Sequence, residues 1–233
     1  MPATASSPQP SLALYDWGPS PFCMKVRAVL ELKGLAYRRI AVLTRIHELY
    51  QRSAVKKVPA LDCDGTLLVD STDIVHELER RWPEPRMVPQ DPRERALCHM
   101  LEELCDESLY FFGLYYHWHD PPGRTRAQRF FARTFFGRLA FRPFLKRVEA
   151  QLRGHGISRK TPEHVRADLE RNLQAFETWL DGRDYLLGAG PYLCDIALAS
   201  QLRYLTLAAG TKTILTSYPR CAALVERLPQ TRV

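Results

Sequence analysis

The segment of this 233-residue chain whose residue types and spacing could do chemistry is Ser20-Pro21-Phe22-Cys23. A serine N-cap with proline at the first helical position predicts a helix start, where unpaired N–H groups and the positive dipole end gather. An anion is favoured there, a hydroxyl can donate to it, and a thiol there is expected to have its pKa lowered. Four residues leave two readings open: reactive side chains, or Ser20 as a plain cap and Cys23 as a small buried residue one turn in. Two further pieces carry related chemistry. Val58-Pro59 opens a predicted strand, and Asp70-Ser71 puts a carboxylate and a hydroxyl at a second predicted helix start.

These pieces need a frame to bring them together. Residues 1–10, MPATASSPQP, lack any hydrophobic period and predict a disordered leader. Leu12, Leu14 and Trp17 belong to a first strand that ends at Gly18-Pro19, and Val26, Val29, Leu30 and Leu32 form the apolar face of the helix that follows, with Gly34 just past its end. Residues 36–43 predict a second strand, parallel to the first because a single crossover helix joins them. Residues 44–57 are read as a less regular basic stretch. Residues 59–62 and 67–69 predict two strands joined through Asp64-Gly65, a dipeptide suited to a tight hairpin, and a helix follows over about 72–82.

The order over 11–82 is therefore βαβ followed by ββα. Pro83, Pro85, Pro89 and Pro92 make 83–92 a linker, because no helix continues through them. Beyond it no strand pattern appears. Segments at about 93–118, 125–153, 162–181 and 193–208 predict an all-helical domain over 93–228, with Gly154-His155-Gly156 and Gly188-Ala189-Gly190-Pro191 as its clearest breaks.

Composition narrows the setting. A 45% apolar content supports a real core, and no apolar run reaches the length of a spanning helix. With no basic start to a secretory signal and six cysteines lacking any CxxC pair, the expectation is a cytoplasmic protein with reduced thiols. Net charge is +7, yet the 37 residues from Arg124 to Lys160 hold eleven Arg or Lys against the single acid Glu149. That segment interleaves its arginines with Phe130, Phe131, Phe135, Phe136, Phe141 and Phe144. Such a pattern fits nucleic acid, an anionic membrane surface or a solvated helix face; the last is the working expectation, with no nucleic acid and membrane-surface contact as an alternative. His117, His119 and Asp120 invite a metal, but residues i and i+2 on a helix point to different faces, so no metal is expected.

Taken together, Ser20, Val58-Pro59 and Asp70-Ser71, in that order and at those separations, resemble the glutathione transferase superfamily. SPFCMKVRAVLELKG is particularly similar to the serine-type tau class, and the linker and helical domain extend the resemblance over essentially the whole chain. It implies an α/β thioredoxin-like first domain, an all-α second domain and a homodimer. Glutathione is the implied co-substrate. Ser20 would stabilise its thiolate, with Phe22 beside it. The backbone of Val58, before a cis Pro59, would pair with the cysteinyl unit. Asp70 and Ser71 would hold the γ-glutamyl end, and Lys57 or Arg45 the glycyl carboxylate.

The implied activity is conjugation to an apolar electrophile, received by some of Tyr110, Phe111, Leu114, Tyr115 and Trp118 on the first long helix of the second domain, whose other reading is plain helical core. SPFC also resembles the glutaredoxin pattern with its first cysteine replaced by serine, so thiol transfer or reduction through Cys23 is the first alternative. A non-enzymatic binding or membrane-associated module is the second. It would use the Phe/Arg segment for contact, and residues 151–163 are similar to the metaxin-like and failed-axon-connection branch of the fold, in which simple transferase activity is less secure. Asp195 resembles the capping-box aspartate of a buried helix in this family, with Tyr192 where Ser or Thr is usual.

Overall fold

The computed structural model describes residues 11–229, so the predicted leader at 1–10 lies outside the described residues. The chain divides into two compact units between Pro85 and Arg86.

The first unit is built on a four-stranded mixed sheet: β1 (Leu12–Asp16), β2 (Arg38–Ala41), β3 (Ala60–Cys63) and β4 (Thr66–Val69), in the order β2-β1-β3-β4. β2 runs parallel to β1, while β3 is antiparallel to β1 and β4 to β3, the expected βαβ–ββα. Asp64 and Gly65 turn the hairpin with φ of 53° and 89°, the positive values that this dipeptide tolerates.

Helix α1 (Pro21–Leu32) buries Val26, Val29 and Leu30, and α3 (Ser71–Arg81) buries Ile74, Val75 and Leu78. The irregular stretch expected at 44–57 is largely helical instead: α2 spans Val42–Arg52, bent at Arg45, where φ is −131°. Leu49 anchors it in a cluster with Ala13, Tyr15, Ile40 and Ala60, and Glu48 accepts a 2.6 Å bond from the Tyr15 hydroxyl. Its apolar residues Val42, Ile46, Leu49 and Tyr50 recur at helical spacing, and buried Leu49 holds the helix against the sheet.

The second unit is helical. Its first long segment runs as α4 (Pro92–Glu103), a π-helical turn (Leu104–Leu109) and α5 (Tyr110–Trp118). The single helix expected over 125–153 is two: α6 (Pro121–Phe131) and α7 (Phe135–His155). Thr134 caps α7 by accepting from Gly137 N–H at 3.0 Å, and a Cβ on Gly137 would lie 2.2 Å from the Phe131 carbonyl oxygen. A cap followed three residues later by a glycine was the available sign of this break.

The remaining helices are α8 (Pro162–Trp179), α9 (Leu193–Leu207) and α10 (Pro219–Arg227), the last not anticipated. Asp195 is buried at the start of α9 and accepts from the backbone of Leu186 at 2.7 Å and Tyr192 at 2.9 Å. The carboxylate half of the cap therefore forms without Ser or Thr at 192. The proline-rich segment is tied down at both ends: Lys33 Nζ donates to the carbonyls of Trp82 (2.6 Å) and Pro85 (2.9 Å), and Leu193 N–H donates to Met87 O (2.7 Å).

Candidate functional site

Sheet register decides which loops meet. Tyr15 pairs with Ala60, and Ala60 with Val69, so these three residues form one row near one end of the sheet. Trp17–Ser20 leave β1 at that end, Val58-Pro59 enter β3 there, and Asp70-Ser71 leave β4 there. The parallel partner β2 ends opposite Asp16 and leads into Arg45, so Arg45 and Lys57 emerge at the same end. The residues expected to hold glutathione thus lie at or beside one end of the sheet.

Ser20 is the N-cap of α1. Its extended backbone brings Oγ to the N–H of Cys23 at 3.3 Å, and its own N–H donates to Trp17 O at 2.8 Å. Accepting from Cys23 uses an oxygen lone pair and leaves the hydroxyl proton available to an anion. Phe22 is half-buried beside it.

Cys23 follows the second of its two readings, a small buried residue one turn into the helix. It has no exposed surface, and its Sγ accepts from Trp17 N–H at 3.5 Å. Burial, reinforced by the negative charge of Asp16, pushes its thiol up to about 12 instead of lowering it. The helix-end effect loses because α1 buries this thiol completely.

The Val58–Pro59 peptide is cis, and Val58 lies just before strand pairing begins. Asp70 caps α3 by accepting from Thr72 N–H at 2.9 Å, and holds φ at 77° with ψ at 132°, a combination non-glycine residues rarely adopt. Ser71 is buried at the first position of α3. Lys57 is exposed, whereas Arg45 pairs with Glu48 at 3.2 Å.

Beneath these loops lies a charged cluster that the sequence reading missed. Asp16, the last residue of β1, is buried between Arg27 Nη1 and Arg39, whose Nε reaches its Oδ2 at 2.9 Å. Arg27 Nη2 donates to Gly18 O at 3.0 Å. Lys25, also buried on α1, reaches Thr72 Oγ1 at 3.2 Å. Two cations between the apolar positions of α1 were the available sign, since a buried charge requires a partner.

The aromatic stripe of the second unit separates into two groups. Leu114, Tyr115 and Trp118 are interior, with Trp118 against Phe144 at 4.8 Å between centroids. These three pack into the helical core. Tyr110 and Phe111 keep partial exposure, Phe111 stacking on His155 at 3.8 Å.

His117 Nε2 meets Tyr204 O at 2.8 Å inside the bundle. His99, Glu102 and Glu103 on α4 have potential metal-ligand atoms within 4.8 Å of one another. No helix among the described residues is long and apolar enough to cross a membrane.

A thioredoxin-like unit with a serine N-cap after β1, followed by an all-helical unit, defines the two-domain glutathione transferase fold class. Residues 14–86 match the glutathione S-transferase N-terminal domain and 132–227 the glutathione S-transferase C-terminal domain, and the chain belongs to the glutathione S-transferase superfamily. It is similar to mouse maleylacetoacetate isomerase, 36% identical over 98 residues, covering 39% of this chain and 45% of the relative. It is also similar to Failed axon connections of Drosophila melanogaster, 23% identical over 80% of this chain and 47% of the relative. The chain therefore spans less than half the length of these curated relatives. A crystal structure of maleylacetoacetate isomerase from Anaeromyxobacter dehalogenans, with glutathione bound in its active site, superposes with a TM-score of 0.58. The two are 27% identical, with 94% of this chain and 90% of that one covered.

Proposed function

We propose that this chain is a glutathione transferase that conjugates the glutathione thiolate to an apolar electrophile. The observation that carries the reading is the convergence of Ser20, Val58 and Asp70-Ser71 at one end of the sheet. The Ser20 hydroxyl, capped from below by Cys23 N–H, donates to the thiolate and favours the ionised form of the tripeptide. The Val58 backbone receives the cysteinyl unit as an added strand would be received. The Asp70 carboxylate takes the γ-glutamyl ammonium, Ser71 and the start of α3 its carboxylate, and Lys57 the glycyl carboxylate.

In the reaction the thiol proton passes to solvent, the sulfur forms a bond to the electrophilic carbon, and the leaving group departs with its electron pair. Tyr110 and Phe111 are the acceptor contacts retained in this reading. Buried Cys23 supports the serine chemistry over thiol transfer.

A second reading, glutathione-dependent isomerisation, is favoured by the likeness to maleylacetoacetate isomerases. The same thiolate would add to an activated double bond, permit rotation and leave again, so Ser20 keeps its role. Conjugation of an aromatic halide tests the main reading. Ser20→Ala is expected to lower kcat/KM roughly 100-fold, the usual effect of deleting one donor to a reacting anion, with Cys23→Ala close to the parent. The reverse result would replace the serine mechanism with a cysteine one, and isomerisation without conjugation would select the second reading.

A further inference from the structure

Eight cations stand between Asp120 and Glu149 with no acid among them. They fall on α6, the Ala132–Thr134 turn and α7, where three large apolar side chains also face solvent: Phe130 is 51% exposed, Phe135 70% and Leu139 62%. The same two helices have a separate inward face. Phe131 lies 5.5 Å from Phe141 and 6.1 Å from Trp118, so the core contacts are already made without Phe130, Phe135 or Leu139.

The outward group flanks the turn along the chain. Phe130 is in the last turn of α6 with the Arg133 guanidinium 5.6 Å from its ring, Phe135 opens α7, and Leu139 follows one turn later. A contiguous exposed apolar patch rimmed by polar or charged residues marks a contact surface.

We propose that the α6–α7 corner docks on an anionic lipid bilayer, Phe130, Phe135 and Leu139 entering the headgroup boundary while the arginines bind lipid phosphates and carboxylates. Charge and side-chain chemistry select this occupant. A second copy joined by two-fold symmetry at this corner would set its arginines against the same arginines, a repulsive contact. An RNA strand would satisfy the cations and could stack on phenylalanine, but it leaves the aliphatic Leu139 in water. A bilayer takes both. Neither apolar insertion nor charge anchors a protein well alone, and the corner supplies both signals. With no spanning helix among the described residues, the contact lies on the surface of the membrane.

The test is co-sedimentation of the full chain with vesicles of phosphatidylcholine alone or mixed with phosphatidylserine. Binding is expected only to the mixed vesicles and should weaken as salt rises. Arg129→Gln and Arg142→Gln should each weaken it about 5-fold. The pair Phe135→Ser and Leu139→Ser should weaken it about 10-fold or more, because both side chains would return to water. These residues are exposed, so an unchanged melting temperature separates lost contact from lost fold. The proposal is overturned by three results: no binding to mixed vesicles, equal binding by the serine variant, or a tight complex with single-stranded RNA in place of vesicle binding. It is also overturned if those serines dissolve a dimer that shows no affinity for lipid.

Discussion

Arg27 binds Asp16 and the Gly18 carbonyl with the two ends of one buried guanidinium, so helix α1 is fastened to the strand and to the loop that delivers Ser20. The loop is held from its other side as well, since Trp17 N–H donates to Cys23 Sγ and Trp17 O accepts from Ser20 N–H. A hydroxyl on such a turn gains its position from the buried groups beneath it.

Removing that guanidinium is expected to be severe. Arg27→Leu leaves the Asp16 carboxylate buried, with only the partly exposed Arg39 against it. Loss of one partner from a buried pair costs about 3–5 kcal/mol, so denaturant unfolding should shift by a comparable amount. Arg39→Gln should cost less. A loss below about 1 kcal/mol for Arg27→Leu would mean that the cluster is well solvated and does not hold the loop.

Cys23 should be silent toward thiol reagents in the folded protein. Native alkylation followed by mass spectrometry is expected to leave it unmodified, and denaturation should expose it. The pH dependence follows from its raised pKa. Below about 9 the thiol is protonated in both states; between about 9 and about 12 the unfolded chain ionises while the folded one does not, so stability falls as pH rises through that window. Cys221, also pushed up to about 12 by burial, acts in the same direction. Cys23→Ala should flatten part of the alkaline slope, and an unchanged slope would remove Cys23 as a source.

Much of the first unit was legible because its signals are local. Ser20-Pro21 begins a helix, Asp64-Gly65 turns a hairpin, and Asp70 caps α3. Helix α2 was written in the spacing of Val42, Ile46, Leu49 and Tyr50, a period masked by the basic and polar residues that crowd the stretch. Burial, a property of the assembled unit, hid the Asp16 cluster and left the Cys23 thiol open between two readings. In the second unit aromatic periodicity found the helix but could not say that Leu114, Tyr115 and Trp118 face inward while Phe111 keeps an edge in water.

Two glycines of the helical unit should respond oppositely to alanine. A Cβ at Gly123 would lie 1.8 Å from the Tyr116 carbonyl oxygen, where α6 crosses the end of α5, and the obstruction is backbone. Gly123→Ala is expected to destabilise by about 1–3 kcal/mol or more. Gly154, in the last turn of α7, has nothing within 4 Å of its added Cβ. Gly154→Ala should stabilise by roughly 0.5–1 kcal/mol, the helical advantage of alanine. Chemical denaturation of both variants decides this, and equal effects would refute the close approach at Gly123.

Acid sensitivity should arise from His117. Its Nε2 faces Tyr204 O at 2.8 Å, and its ring stacks on Tyr204 at 4.3 Å, so the nitrogen toward that carbonyl carries the proton and the neutral ring satisfies the contact. Burial lowers its pKa from 6.5 to about 4, the bond to Tyr204 O only partly opposing that. Above about 6.5 both folded and unfolded states hold it neutral. From there down to about 4 the unfolded chain takes up a proton that the folded one refuses, so stability falls as pH falls. His155, lowered by burial and the nearby Lys160, pulls the same way. Urea unfolding across that range should show the decline for the parent and a weaker one for His117→Gln, whose amide keeps a donor but does not titrate. If the two profiles run parallel, the His117 ring takes up its proton in the folded bundle as readily as in the unfolded chain, and its stacking on Tyr204 does not exclude the charge.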